Sequence, residues 1–208
     1  MNINRKMSRL HITDKHTGKM EGMQSISTSC KTNPYCAEHA KVKGSVCEKC
    51  YAQRQMKMYK QMSPCYERNA EILTKSILED DELPVINAAY FRFESFGDLI
   101  NVNQVVNYFN ICKKNPDVHF ALWTKNPMLI KPVADQKPDN LQIILSSLFL
   151  NEKADISKMP FIDKVFTVYD KETIEKDNID INCGARSCLK CHKCYVKNDI
   201  ININEKLK

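Results

Sequence analysis

Apolar residues recur along the chain in short runs typical of strands and at helical spacing typical of helices. The runs that predict strands are residues 23–28, 90–94, 118–123, 141–148 and 164–169. Two consecutive helices are predicted after the cysteine-rich stretch 30–50, with Ser63 as the N-cap of the second and Pro64 at its first position. The run 141–148 is apolar almost throughout, which predicts a strand buried on both faces.

Two further helical segments follow in the second half of the predicted fold. Val102, Val105, Val106, Phe109 and Cys112 recur at helical spacing, and the helix ends before Pro116. Asn126 followed by Pro127 predicts the start of a short helix. The resulting alternation of strands and helices indicates βαβ units and a parallel sheet.

Too few strands are predicted for a closed eight-stranded barrel, which normally needs about 250 residues. We therefore expect an α/β fold, a partial (β/α) barrel with about five or six mostly parallel strands. The predicted domains are an N-terminal arm at 1–22, the α/β barrel at 23–170, and a cysteine-rich, metal-binding segment at 171–208 that packs on the barrel. His11 and His16 of the arm have no partner in the sequence, and we interpret them as solvated.

Composition limits the classes of partner and the compartment. The chain has 208 residues, of which 43% are apolar, enough for one substantial core. Its 31 basic and 25 acidic residues permit an anionic partner but fall short of the dense basic surface of dedicated nucleic-acid-binding proteins. With neither a signal peptide nor an apolar run long enough to span a bilayer, we expect a cytoplasmic protein that does not enter a membrane.

Eight of the ten cysteines fall into two groups. The first cysteine group is Cys30, Cys36, Cys47 and Cys50, and the second cysteine group is Cys183, Cys188, Cys191 and Cys194. In a reducing cytoplasm such clusters favour metal over disulfides. The first group fits either a closed zinc site or a [4Fe–4S] cluster. The spacing of the second group matches parts of ferredoxin motifs, which favours iron–sulfur.

Three other residues near these groups receive a structural interpretation. His192 lies inside the second cysteine group, but four cysteines already suffice, so we interpret it as a neighbour and not a ligand. Cys65 and Cys112 stand apart from both groups. We expect each of these two cysteines to be a small buried apolar residue.

In a parallel α/β sheet the active site lies at the carboxyl edge, the edge where the C-terminal ends of the strands meet. The segments expected to converge there are the first cysteine group, residues 94–98, Thr124 and Lys125, Ser146 and Ser147, and Tyr169 and Asp170. The sequence therefore predicts a functional site at this edge, next to a metal.

The strand, the cysteine loop ending in CEKCYA and the alternating elements that follow resemble the partial barrel of radical S-adenosylmethionine (SAM) proteins. More narrowly, CKTNPYC, FRFESFGDL, FALWTKNP and the late cysteines resemble bacteriophage proteins of the gene-product-88 type, over residues 23–195. The phage resemblance implies the host cytoplasm. The radical SAM resemblance implies a [4Fe–4S] cluster on three cysteines, for which we choose Cys36, Cys47 and Cys50, with Cys30 as the alternate.

The same resemblance implies roles for polar residues at the carboxyl edge. Ser95, Gly97 and Asp98 would bind SAM, and Thr124, Lys125 and Ser147 would line the pocket of an unknown substrate. The first hypothesis is thus an enzyme that cleaves SAM reductively with one electron, using one or two [4Fe–4S] clusters.

Two alternatives to the enzyme stay open. One is a non-enzymatic zinc module that contacts nucleic acid through Lys41, Lys43, Lys57 and Lys60. The other is a metal-stabilised scaffold without chemistry.

Overall fold

A computed structural model describes residues 9–207. Residues 1–8 of the predicted arm and residue 208 lie outside the described residues. Six strands form one sheet, and they are β1 (Gln24–Ile26), β2 (Tyr90–Phe93), β3 (His119–Thr124), β4 (Leu141–Ser146), β5 (Lys164–Tyr169) and β6 (Asn202–Lys206). The strands lie side by side in chain order, and every neighbouring pair is parallel. The α/β class and the parallel sheet are therefore confirmed.

The sixth strand was not predicted. β6 has the sequence NINEK, in which only Ile203 is apolar and buried. Its position comes from backbone pairing with β5, where Phe166 lies opposite Ile203. A strand at the end of a sheet buries little side chain, so it leaves a weak hydrophobic pattern.

Six α-helices accompany the sheet. They are α1 (Pro34–His39), α2 (Tyr51–Met58), α3 (Met62–Lys75), α4 (Val102–Lys114), α5 (Lys171–Asp177) and α6 (Cys188–Cys191). Ser63 is not the N-cap of α3 as predicted. It lies within the first turn, where its hydroxyl donates to Glu67 Oε1 at 2.7 Å. No helix of residues 9–207 has the length and apolarity that crossing a membrane requires.

The short helix predicted at Asn126 is instead a pair of 3-10 segments, Pro127–Leu129 and Lys131–Gln136. Pro132 has no N–H to donate, and Val133 has a φ of −127°, outside the helical range. These two features prevent a continuous α-helix.

One face of the sheet packs against α3 and α4 and forms the main core. Alternate residues of β2, Phe91 and Phe93, point to this face together with Phe120 of β3. The helices contribute Leu73 and Phe109 to the same cluster. All side chains of β4 except the last are buried, as expected for a strand covered on both faces.

The opposite face is covered by segments from the two ends of the chain. Tyr90, Trp123 and Phe166 from the strands pack with Met20 and Tyr195. Residues 9–22 are tied to the sheet as well, because Thr13 and Ser25 pair through two backbone hydrogen bonds of 2.8 and 2.9 Å. The second cysteine group therefore lies on this opposite face of the sheet, away from α3 and α4.

Candidate functional site

The loops after β1 and β2 are in direct contact at the carboxyl edge. Gly97 has a φ of +77°, and a Cβ at this position would lie 2.5 Å from the carbonyl oxygen of Thr28. Asn33 Nδ2 donates to the Asp98 carbonyl at 2.8 Å, while its Oδ1 caps α1 by accepting from Tyr35 N at 2.9 Å. The helix that carries Cys36 is thus fixed against the turn after β2, and only glycine fits at position 97.

Glu94 lies in the segment expected at this edge, but no role was predicted for its side chain. Its carboxyl accepts from Gln104 Nε2 at 2.7 Å, Tyr108 OH at 2.5 Å, and the backbone N–H and hydroxyl of Thr28. Burial raises the pKa of Glu94 to about 8, against the opposing effect of these hydrogen bonds. A carboxyl directly after an apolar strand was the signal available in the sequence.

Asp98 joins the turn after β2 to the end of β3. One carboxyl oxygen accepts from Thr124 Oγ1 at 2.5 Å and from Leu99 N, and the other accepts from Lys125 N at 2.8 Å. Burial raises the pKa of Asp98, and the nearby Lys125 charge opposes that effect. Three predicted site residues, Asp98, Thr124 and Lys125, therefore lie together, while the predicted SAM contact of Asp98 stays a prediction.

Ser95 lies in a chain of hydroxyl groups beneath the same turn. Its Oγ is 2.7 Å from Ser27 Oγ and 3.1 Å from Ser25 Oγ, which in turn is 2.8 Å from His16 Nε2. Tyr51, directly after Cys50, donates its hydroxyl to the Ser95 carbonyl at 2.5 Å. His16 is half-buried, and burial lowers its pKa. The interpretation of His16 as solvated was therefore wrong.

Lys125 and Ser147 occupy different environments. Lys125 Nζ donates to Ser146 Oγ at 2.9 Å at the end of β4. Ser147 is buried, and its Oγ lies 2.9 Å from Thr167 Oγ1 and accepts from Ala154 N at 3.0 Å. The Ser147 hydroxyl thus holds the loop after β4, whereas the Lys125 ammonium stays partly exposed.

In the first cysteine group, Cys30, Cys36 and Cys50 lie close together. They pack against one apolar cluster, in which Cys30 Sγ is 3.3 Å from Met56 Sδ. Burial, followed by the neighbouring Cys50, raises the pKa of the Cys30 thiol to about 11. Burial also raises the pKa of Cys36, and Asp98 and Cys30 add to that rise. The three thiols therefore line the same apolar cluster.

Cys47 lies further along the same edge. Burial raises the pKa of Cys47, the Lys125 charge opposes this rise, and Cys50 and Asp98 add to it. Its loop is fixed to the loop after β4, because Val46 N donates to the Leu148 carbonyl at 2.9 Å. The choice of Cys36, Cys47 and Cys50 as ligands, with Cys30 as the alternate, stays a prediction.

The two cysteines expected to stand apart have different surroundings. Cys65 is only half-buried and packs against the apolar cluster that Cys30, Cys36 and Cys50 share, so its prediction as an isolated buried residue was wrong. The position of Cys65 on α3 brings it there, a tertiary contact that the sequence does not reveal. Cys112 is fully buried, as predicted.

The second cysteine group surrounds the short helix α6, which carries Cys188 and Cys191. Cys188 and Cys194 pack against the face of the sheet opposite α3 and α4. Cys183 is paired with β6 by a backbone hydrogen bond to the Asn204 carbonyl at 3.0 Å. The His192 ring stacks on Tyr90 with centroids 5.2 Å apart and planes 8° apart.

Three cationic side chains lie around the second cysteine group. Lys19 Nζ is 3.6 Å from Cys183 Sγ. Burial raises the pKa of Cys194 to about 12, and the Arg92 charge opposes this rise. Lys164 is buried and burial lowers its pKa, an effect that a thiolate at Cys194 would oppose. These cations would offset the negative charge of a centre bound by four thiolates.

The donor chemistry of both groups fits a thiolate-bound metal or cluster. All ten cysteines are free thiols, and each group offers several half-buried sulfurs within one short segment. Within the range 9–207, no three or more His, Cys, Asp or Glu side chains are arranged around one metal-ion position. The metal itself stays a prediction.

The basic residues assigned to nucleic acid in the alternative hypothesis, Lys41, Lys43, Lys57 and Lys60, are all exposed. Exposed lysines are the ordinary state of a solvated surface, so their role in binding nucleic acid also stays a prediction.

Comparison with known proteins identifies the family. The family model described as Gene product 88 matches residues 2–206, nearly the whole chain. The comparisons with curated proteins and with solved structures found no match. None of the three comparisons supports the resemblance to radical SAM proteins. The chain belongs to the Gene product 88 family.

Proposed function

We propose that the protein is an iron–sulfur enzyme of radical-SAM-like type, whose sheet curves as a partial barrel around the site. The observation that carries the proposal is the grouping of Cys30, Cys36 and Cys50 at the carboxyl edge, next to the turn of residues 94–98. Three of these thiolates would hold a [4Fe–4S] cluster beside the SAM site. Such a cluster would supply the one electron needed for reductive cleavage of SAM.

The residues of this chain would bind and orient SAM. The ammonium of Lys125 reaches the edge beside Ser146 and offers a positive charge to a carboxylate. Asp98 and Glu94 are held by several donors each, which fixes the turn against which SAM would lie. In this role Asp98 orients the loops, and Ser95 and Gly97 contribute the turn itself.

The second cysteine group would hold an auxiliary centre, either a second [4Fe–4S] cluster or zinc. The surrounding cations Lys19, Arg92 and Lys164 support a centre with net negative charge. If both groups hold zinc, the protein is instead a non-enzymatic module. The exposed lysines near the first cysteine group would then be the candidates for contact with nucleic acid.

The test of the enzyme is binding and cleavage of SAM by anaerobically reconstituted protein. We expect calorimetry to detect SAM binding, and the reduced protein to convert SAM slowly to methionine and 5′-deoxyadenosine. Lys125→Gln should weaken SAM binding about tenfold, the size expected for one hydrogen bond to a charged group.

The matched control is Lys131→Gln, because Lys131 is an exposed lysine on the nearby 3-10 segment. It should bind SAM like the unmodified protein. If reconstituted protein binds no SAM, the enzyme hypothesis is wrong. The hypotheses of a zinc module and of a scaffold without chemistry would then remain.

A further inference from the structure

Two buried polar atoms of the described residues have no hydrogen-bond partner, Arg92 Nε and Tyr195 OH. Both residues pack on Trp123. The guanidinium carbon of Arg92 is 3.9 Å from the Trp123 ring centroid, and the Tyr195 and Trp123 centroids are 5.9 Å apart. Tyr195 is only 2% exposed. Burying a polar group without a partner is costly and rare, so two of them at one place indicate a missing acceptor.

The surroundings identify the chemistry of that acceptor. Arg92 Nε can only donate, and a phenol hydroxyl donates readily, so the acceptor is an electron-rich atom. Among the side chains packed with Tyr195 are the thiols of Cys188 and Cys194, and Met20 Sδ lies 3.5 Å from an Arg92 amino nitrogen. A neutral thiol is a weak acceptor, whereas a metal-bound thiolate carries negative charge and accepts well.

We propose that Arg92 and Tyr195 donate hydrogen bonds to the thiolate sulfurs of Cys188 and Cys194 when the second cysteine group holds its metal. This inference rests on the proposed function, since it requires a metal at that group. Neither residue is a ligand. Both are positioning residues that stabilise the loaded centre and, for an iron–sulfur cluster, raise its reduction potential.

The proposal predicts opposite effects with and without metal. In the metal-free protein the Tyr195 hydroxyl is a buried donor without an acceptor, so Tyr195→Phe should leave the melting temperature unchanged or raise it. In the loaded protein the same change removes a hydrogen bond to a ligand sulfur. Loss of such an outer contact typically lowers metal affinity by about tenfold or more.

Tyr66→Phe is the matched control. Tyr66 is equally buried, but its hydroxyl has a partner, Thr13 Oγ1 at 3.2 Å. Tyr66→Phe should therefore lower the melting temperature of the metal-free protein and leave the metal affinity of the second cysteine group unchanged.

The experiment measures Co²⁺ affinity by chelator competition under anaerobic conditions, following sulfur-to-cobalt absorption. The full chain carries Cys36→Ser, Cys47→Ser and Cys50→Ser, so that binding reports the second cysteine group. We expect one bound Co²⁺ per chain and a Co²⁺ affinity about tenfold lower after Tyr195→Phe. Arg92→Lys should also lower the Co²⁺ affinity, because lysine keeps the charge but not the Nε donor.

The outcomes separate this inference from the proposed function. If the cysteine-substituted protein binds no Co²⁺, both the metal centre at the second cysteine group and the proposed donor pair, Arg92 and Tyr195, are ruled out. Unchanged Co²⁺ affinity in both variants, or a metal-free melting temperature that falls after Tyr195→Phe as far as after Tyr66→Phe, overturns the donor pair alone.

Discussion

Gly97→Ala is expected to destabilise the protein by about 3 kcal/mol, which lowers the melting temperature of a chain of this size by about 10 °C. Two physical costs combine at this position. The backbone has a φ of +77°, which is unfavourable for alanine by about 1–2 kcal/mol. In addition, the new Cβ would lie 2.5 Å from the Thr28 carbonyl oxygen, so the loop after β1 has to move. The measurement is thermal unfolding of metal-free protein.

Gly44→Ala separates the two costs. Gly44 has a φ of +80°, but nothing lies within 4 Å of its added Cβ. We therefore expect a loss of about 1 kcal/mol, from the backbone conformation alone. Equal losses for the two variants would contradict the close packing of the β1 and β2 loops on which the candidate site depends.

Glu94→Ala is expected to cost about 3 kcal/mol, because it leaves the donors of Thr28, Gln104 and Tyr108 buried without their shared acceptor. Glu94→Gln keeps the shape and should cost about 1 kcal/mol at pH 5. Urea unfolding of the metal-free protein measures both. Asp81→Ala, on an exposed acidic residue, is the control and should change stability little.

The same residue predicts a dependence of stability on pH. Burial raises the pKa of Glu94 from 4.5 to about 8, so the folded protein holds its proton more tightly than the unfolded chain does. The contribution of protonated Glu94 is complete below about pH 4.5 and is lost as the pH rises through 8. Glu94→Gln cannot lose a proton, so its deficit relative to the unmodified protein should shrink between pH 5 and pH 8. A deficit that grows over this range would contradict the raised pKa.

Hydrophobic pattern predicted the architecture well where side chains are buried on a sheet face. The aromatic run of β2 and the continuous apolar run of β4 are observed as strands, and β4 is buried along nearly its whole length as expected. β6 and α1 were missed because each of them buries little or no apolar side chain. β6 has one buried apolar residue, and α1 has no buried residue and depends on the Asn33 cap. Short elements held by backbone pairing or capping leave little periodicity to detect.

The sequence predicted the location of the candidate site better than it predicted the contacts within the site. Because parallel strands bring their carboxyl ends together, the sequence located Asp98, Thr124 and Lys125 at one edge, where they do meet. The role of the Glu94 side chain was missed because it lies in burial and in hydrogen bonds to Thr28, Gln104 and Tyr108. Arg92 was missed because its Nε becomes a buried donor without a partner only in the folded chain. No local pattern encodes such contacts.

Metal analysis of anaerobically reconstituted protein tests the central claim most directly, namely that the first cysteine group holds an iron–sulfur cluster. We predict a brown protein with broad visible absorption and about four to eight atoms each of iron and labile sulfide per chain, equivalent to one or two [4Fe–4S] clusters. A colourless protein with about one or two zinc ions per chain and no labile sulfide would contradict it.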